Sequence, residues 1–463
     1  MNKHSLKYIS IVTLLIIGLA SCKVTRNYQS PEVQTGGLFR DNHSTDTTTI
    51  ASLPWREVFT DATLQALIAQ GIDQNLDLQI AYTRIRQAQA YYAQSQAAFL
   101  PSLNANAGVT ESRLSEAQGF GIRTHATQFQ LGLSSAWEAD IWGRLSSSRR
   151  ANLASLLQTE TGARAIQTSI VSGIASFYYT LLALDQQLAI TEQTVRNWDT
   201  TVATMRALKE AARVTEAAVV QSEAQRYAAE VTIPDLKQRI RETENALSII
   251  MGVPPAAINR GRLEDQRTVA VLQTGVPAQL LANRPDVQEA EYAYRYAFEL
   301  TNVARTAFYP ALTISGSAGF SSLTLGNFLD PGSLAASIGA GLTQPIFNRR
   351  LNRTNLLVAQ EQQQAALLGF QNRLLVAGQE VSDALSLHTT ALEKMNVRTL
   401  QLTALQRSVE YTQELLRNGF ANYNEVITAR QSLLAAELGR VNDRLQQLQA
   451  AVNLYRSLGG GWR

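Results

Sequence analysis

Laid against itself at an offset of 209 residues, the chain repeats. Asp77 falls on Asp286, Gln79 on Gln288, Ala81 on Ala290 and Ala88 on Ala297, and the match runs through Ala98/Ala307, Phe99/Phe308, Pro101/Pro310 and Leu103/Leu312. At an offset of 207, Leu247 falls on Leu454 and Gly252 on Gly459. Whatever one half folds into, the other must therefore fold into as well, with only slight drift between segments.

Each half reads as helix, strand, loop, strand, very long helix, turn, helix. The first helix is expected from about Asp61 to Leu100, where Pro101 forbids its continuation. Then the period changes to two. Leu103, Ala105, Ala107 and Val109 alternate with polar neighbours, and so do Phe129, Leu131, Leu133 and Trp137, with Leu114 to Arg123 as the loop between them. The second half repeats this with Leu312, Ile314, Ala318 and Phe320, then Ile338, Ala340 and Leu342. The result is four strands, each with one apolar face.

The stretch from Ser146 to Glu210 has no Pro, which at ~1.5 Å per residue is a rod of roughly 100 Å. Ile170, Ile174, Phe177, Leu181, Leu184 and Leu188 step by three and four, as do Leu434, Leu438, Val441, Leu445, Leu448, Val452 and Tyr455. A sustained heptad implies helices that meet through a narrow stripe and leave much of each rod facing water. Composition agrees: charged residues are only 17%, so the surface is filled by Gln, Asn, Ser, Thr and Ala.

The amino terminus reads as a lipoprotein signal. Lys3 and Lys7 precede an apolar stretch from Tyr8 to Ala20 that is too short to span a bilayer, followed by Leu19-Ala20-Ser21-Cys22. Leucine, two small residues and then the sole cysteine form a lipobox, so Cys22 is expected to become the lipid-bearing first residue outside the cytoplasm, palmitate included. The plainer alternative is a secretory leader that happens to hold a cysteine. No later stretch has 18 consecutive apolar residues, so no transmembrane helix is expected.

A single Cys excludes a disulfide framework, and His4, His43, His125 and His388 share no ligand spacing, so no metal and no cofactor are expected. The net charge of +3, falling to +1 without Lys3 and Lys7, argues against nucleic acid as a partner. With no phosphate loop and no Ser/His/Asp grouping, the chain is not expected to be an enzyme.

Open sheet edges cannot sit in lipid, where each unpaired backbone group costs several kcal/mol. Four strands cannot close by themselves; two copies would supply eight strands, and three would supply twelve and a lumen. If these strands lie in a membrane, the protein is an oligomer.

Several motifs in order resemble the outer-membrane efflux lipoproteins of the TolC class, nodulation-protein-T type. They are Pro54-Trp55 with Phe59 and Asp61, the run Trp137-Glu138-Ala139-Asp140-Ile141-Trp142-Gly143-Arg144, and Leu281-Ala282-Asn283-Arg284-Pro285-Asp286. Gln344-Pro345-Ile346-Phe347-Asn348 and the terminal Leu458-Gly459-Gly460-Gly461-Trp462 follow. The resemblance implies a mixed, mainly α membrane protein: a homotrimer with a twelve-strand outer-membrane β-barrel, a twelve-helix periplasmic α-barrel and a belt around its waist. It implies partnership with a periplasmic adaptor and an inner-membrane pump, usually of the resistance-nodulation-division type, in a tripartite system that exports drugs or other toxic compounds through a passive conduit. The alternatives are a channel for type I protein or peptide secretion and a periplasmic adaptor lipoprotein, the latter disfavoured by the two strand pairs. The organisation expected is a signal peptide at 1–21, an anchor and extended segment at 22–60 and a first repeat at 61–252, with strands at about 101–113 and 124–137. A belt linker at 253–278 and a second repeat at 279–463, with strands at about 310–321 and 334–345, complete it.

The resemblance also names site residues. Ala212-Arg213-Val214-Thr215 and Gly419-Phe420-Ala421-Asn422 occupy the turns at the periplasmic mouth that meet the adaptor, the first lacking the family's glycine; Gly419 also suits a plain helix C-cap. Glu425 matches the first of two acidic positions that ring the closed mouth, whereas Thr428 lacks the second; three such carboxylates would favour cations, and the alternative is a glutamate placed at a helix start by the macrodipole. Trp137, Trp142, Phe308 and Tyr309 stand where strands meet helices, as an interface girdle or as junction packing. Arg144, Arg149 and Arg150 could reach lipid phosphates or form a solvated helix face. Arg284-Pro285-Asp286 reads as a helix start with proline at an early position.

Overall fold

The computed structural model describes residues 24–40, 46–113, 115, 117, 125–267 and 274–463. The leader and Cys22 lie outside the described residues, as does most of the loop at 114–123.

Helix α1 (Ala62–Gln74) begins where the Asp61 carboxylate accepts the N–H groups of Thr63 and Leu64, at 2.7 and 3.1 Å. The single opening helix expected from Asp61 to Leu100 is in fact two. Asn75 is extended, with ψ 125, and α2 (Leu76–Ala97) follows it. The Asn75 side chain explains the break: its oxygen caps α2 through the N–H of Leu78 at 2.9 Å, and its amide nitrogen donates to the Ile250 carbonyl at 2.8 Å. A one-turn helix at Trp55–Val58 also lies within the segment expected to be extended.

After Pro101 come β1 (Ser102–Arg113) and β2 (His125–Ala139), then α3 (Arg144–Glu210). The return helix of the first half divides into α4 (Glu216–Glu230) and α5 (Thr232–Ile250), because Pro234, at the third position of α5, has no N–H to continue a ladder. The second half runs α6 (Pro285–Thr306), β3 (Ala311–Ser322), β4 (Leu334–Thr343), α7 (Leu351–Arg417) and an unbroken α8 (Tyr423–Ser457). The long helices α3 and α7 are each 67 residues and start at positions 207 apart, each after a left-handed residue, Gly143 (φ 79) or Arg350 (φ 66).

The chain forms two compact units. Of the described residues, one unit comprises those within 24–32, 84–159 and 290–370 and holds the sheet; the other comprises those within 33–83, 160–289 and 371–463. In the sheet unit the strand order is β1-β2-β3-β4, antiparallel throughout, with Ser102 facing Ala136, Ala136 facing Ser315, and Ala311 facing Thr343.

In the second unit the core gathers on the middle of α3. Ile170, Val171, Ile174, Ala175, Tyr178, Tyr179 and Leu181 through Leu184 are all buried, which is far more than the narrow stripe the heptads imply. The cause is local cover: Gly71 of α1 backs directly onto Ile174, and the Tyr178 hydroxyl donates to Asp61 at 2.8 Å. Further along, only Thr191, Trp198, Thr201, Val202 and Met205 are buried, so the narrow seam holds there.

The duplication extends to the joints that close the two return helices. Gly252 (φ 72) and Gly459 (φ 94) end α5 and α8, and a Cβ on either would collide with a backbone carbonyl, of Gln74 or Asn283. The next residue in each half reaches back to the same helix: Asn75 donates to Ile250, and Arg284 donates through Nη1 to Ser457 at 2.9 Å.

Candidate functional site

Pairing places every second residue of the sheet on one face. Leu103, Ala107 and Val109, then Phe129, Leu131, Leu133 and Trp137, share a face with Leu312, Ile314, Ala318, Phe320, Leu334, Ile338, Ala340 and Leu342. The opposite face carries Asn104, Asn106, Thr110, Gln128, Gln130, Ser134, Thr313, Ser315, Ser317, Ser337 and Thr343, mostly polar and uncharged, with Glu138 at the helix end. Its side chains bond across strands, Asn106 to Ser134 at 2.7 Å and Ser317 to Ser337 at 2.9 Å. Much of the apolar face is open: Leu103, Leu131, Leu133, Leu334, Ile338 and Leu342 are all exposed, while Phe328 packs on Phe129 and Phe320. Among the described residues, no strand pairs with the outer edge of β1 or of β4.

The four predicted aromatics are brought together at one end of this sheet. The indole N–H of Trp137 donates to the Phe99 carbonyl at 2.8 Å and that of Trp142 to Pro310 at 2.7 Å; the Trp142 and Tyr309 rings lie 5.0 Å apart. Trp137, Phe308 and Tyr309 remain partly exposed, so junction packing and an outward aromatic surface coexist. The arginines nearby are engaged within the protein. Arg150 clasps the buried Glu299 at 2.8 and 3.0 Å, Arg144 pairs with Glu138, and Arg149 lies over the Phe99 ring. The segment that follows Cys22 is fixed beside them: Arg26 and Asn302 exchange two hydrogen bonds, at 2.9 and 3.0 Å, and Tyr28 packs on Tyr294 and Phe298.

The two predicted mouth turns also come together, in the second unit. Leu208 and Val214 pack with Leu416 and Tyr423 around buried Met205, Ala218 and Val219. The turns share one geometry. Gly419 (φ 80) donates to Leu416 and Phe420 to Leu415; Ala212 (φ 57) donates to Lys209 and Arg213 to Leu208. Both are Schellman caps, and Ala212 occupies the left-handed position that Gly419 fills without strain. Left-handed backbone costs an L-residue about 1–2 kcal/mol. Ala212→Gly is therefore expected to stabilise the protein by about 1 kcal/mol and Gly419→Ala to destabilise it by about 1–2 kcal/mol, read as opposite shifts in thermal unfolding. Phe420 is 82% exposed beside these turns. Glu425 sits in the first turn of α8 in a capping box with Asn422, whose side chain accepts the Glu425 N–H at 3.2 Å; the glutamate thus has a helix-start role, and its side chain is exposed.

Sequence reasoning missed a buried charge cluster. Arg284, only 4% exposed, bonds Asp286 at 2.6 and 3.0 Å and Glu380 at 2.7 Å, while Arg373 also reaches Asp286. Burial would raise the Asp286 carboxyl, but Arg284 and Arg373 outweigh it and hold the group below the usual carboxylate range. Glu289, one turn on, goes the other way: burial, then the Asp286 charge, push it up. A raised carboxyl favours folding while neutral, so its contribution is present below the ordinary carboxylate range and is lost as pH rises through the raised value. Glu289→Gln should melt higher than the parent at pH ~7.5 and no higher at pH ~4. The one available signal was the Arg-Pro-Asp run itself, and a helix start accounts for it without naming Glu380 or Arg373.

Among the described residues no His, Cys, Asp or Glu cluster could hold a metal, and no helix is long and apolar enough to cross a membrane. The described sheet carries mainly polar residues on one side and mainly apolar ones on the other. Residues 67–253 and 276–460 match the profile of the outer membrane efflux protein family, one match per repeat. The chain is 26% identical over 462 residues to a probable outer membrane lipoprotein, SilC, of Salmonella typhimurium, covering 99% of each. It is 27% identical to the cation efflux system protein CusC of Escherichia coli, covering 96% of this chain and 97% of that one. It is 28% identical to a probable efflux pump outer membrane protein, TtgC, of Pseudomonas putida, covering 97% and 94%. Its fold matches a crystal structure of a Pseudomonas aeruginosa membrane protein with a TM-score of 0.87 at 26% identity, covering 95% of this chain and 98% of that one. A crystal structure of CusC matches at 0.85 and 25% identity, covering 95% and 100%. This chain belongs to the outer membrane efflux protein family.

Proposed function

We propose that three copies of this chain join their sheets into a twelve-strand barrel across the outer membrane and continue it as a helical tube in the periplasm, forming the passive exit duct of an efflux system. One observation carries this reading: among the described residues, a four-stranded sheet has one mainly apolar face, one mainly polar face and outer edges without a partner strand; the apolar face would meet lipid and the polar face a lumen. Three copies would pair every edge and give a lumen that two could not. Exposed apolar side chains along α7, including Leu357, Leu375, Val397 and Leu400, support association, since one chain leaves them in water.

An inner-membrane pump and a periplasmic adaptor complete the system, the adaptor meeting the turns at Ala212–Thr215 and Gly419–Ala421, where Phe420 is an exposed anchor. Small toxic compounds are the cargo; the relatives' names cover both cations and efflux-pump substrates, and the pump sets the choice. Deleting the coding sequence in its host should raise accumulation of at least one dye, antibiotic or metal ion several-fold, with restoration by the intact gene. No change across such a panel, with loss of an exported protein instead, would replace this reading with protein secretion.

Trp137, Trp142, Phe308 and Tyr309 form the collar at the periplasmic lipid surface, and Cys22 carries the anchoring lipid, testable by palmitate labelling that disappears in Cys22→Ser. Glu425 adds a ring of three carboxylates at the mouth to its capping role. Glu425→Ala should then lower cation preference in planar bilayers at least twofold, and unchanged selectivity would remove the ring.

A further inference from the structure

Taking the chain as one third of a closed barrel, we infer the register of the seam between copies. β4 of one copy pairs with β1 of the next so that Thr343 faces Asn106, Ala340 faces Val109 and Ile346 faces Leu103, and β4 lengthens on assembly from Thr343 to Ile346. The argument is the duplication read in three dimensions. Ser102 facing Ala136 closes the first hairpin as Ala311 facing Thr343 closes the second, so β1 corresponds to β3 at a shift of 209 and β2 to β4 at a shift of 207. The hairpins meet at β2–β3, where Leu133 faces Ala318, Ala136 faces Ser315 and Ala139 faces Leu312. A ring made of one repeated hairpin uses the same joint inside a chain and between chains. Carrying the β2–β3 pairs through the two shifts gives the pairs named.

Three further observations agree. The register keeps Ile346, Leu342 and Ala340 on the same apolar face as Leu103, Ala107 and Val109, whereas a slip of one residue would set apolar against polar along the seam. Next, β2 runs on through Trp137, Glu138 and Ala139, beyond the first paired residue of β1, and pairs there with β3 alone. The matching residues Gln344, Pro345 and Ile346 could pair only with the next copy's β1; in the single chain β4 stops at Thr343, and Ile346 is 98% exposed. Finally, Gly132 and Gly319 approach closely enough that a Cβ on either would collide with the other strand's backbone, which marks a narrow, non-hydrogen-bonded pair. Pair types alternate, so Glu138 also faces β3 with its N–H turned away. Pro345 takes Glu138's place in the seam and has no N–H to offer, so proline costs nothing there.

Slips of two residues preserve the faces, so cysteine pairs decide the matter. Thr343→Cys with Asn106→Cys lies on the polar face in a narrow pair, within disulfide reach of about 4.4–6.8 Å between Cα atoms. Thr343→Cys with Asn104→Cys, or with Gly108→Cys, would sit on a diagonal of about 7–8 Å. Mild oxidation of the detergent-extracted protein, with each single variant run to count any bond through Cys22, should join chains through the first pair at least tenfold faster than through either diagonal. Faster joining through a diagonal pair, or none through any pair in particles that run as three chains on a native gel, overturns the register and leaves the barrel standing. Single chains on that gel with no joining at all overturn the barrel itself.

Discussion

Replacing Leu133 by arginine is expected to remove the protein from the membrane, whereas the same change one residue on, at Ser134, is expected to leave it there. Leu133 lies mid-strand on the apolar face and is half exposed in the single chain; Ser134 lies on the polar face, bonded to Asn106. A cation on the lipid side of a barrel near mid-bilayer costs about 2–4 kcal/mol, and a closed trimer would bear it three times. A lumen-side cation stays hydrated and alters ion preference instead. The check is the amount of each variant left in outer membranes after an alkaline or urea wash. Equal retention of both would mean that the two faces do not meet different solvents.

Replacing Arg284 by alanine is expected to cost about 3–5 kcal/mol, because it takes the buried arginine from Glu380 and from Asp286, which keeps only Arg373, and frees the Ser457 carbonyl. The equivalent residue of the first repeat sets the comparison. Asn75 makes the matching reach to Ile250 but carries no charge partners, so Asn75→Ala should cost only about 1–2 kcal/mol. Arg284→Lys keeps the charge, loses the fork and should fall between the two. Denaturant unfolding of the three variants in detergent orders them. An Arg284→Ala cost no larger than that of Asn75→Ala would show that the ion pairs add nothing to the shared joint.

The strands and long helices were legible because each rests on one short-range pattern written twice. Alternation over Leu103 to Val109 and again over Leu312 to Phe320 names both the elements and their faces, and a Pro-free run names α3. What escaped depends on tertiary partners. Asn75 breaks a helix because Ile250 and Leu78 are there to bond its amide, and nothing in its neighbours' periodicity announces that. The middle of α3 is wrapped because Asp61 and Gly71 fold back onto it, which heptad spacing cannot encode. Pro234 was visible, and its cost to the return helix was overlooked. At the candidate site, the turns at Ala212 and Gly419 came from the family resemblance and from the ends of the Pro-free runs. The clasp of Arg284 on Glu380 joins residues 96 positions apart and leaves no local trace.

One chain is an unfinished wall: among the described residues, nothing pairs with the outer edge of β1 or of β4. The most direct test is the protein mass of the particle extracted in mild detergent, measured by light scattering with the detergent's share subtracted. Three chains per particle is the expected result. A particle of one chain, stable and folded, would contradict it.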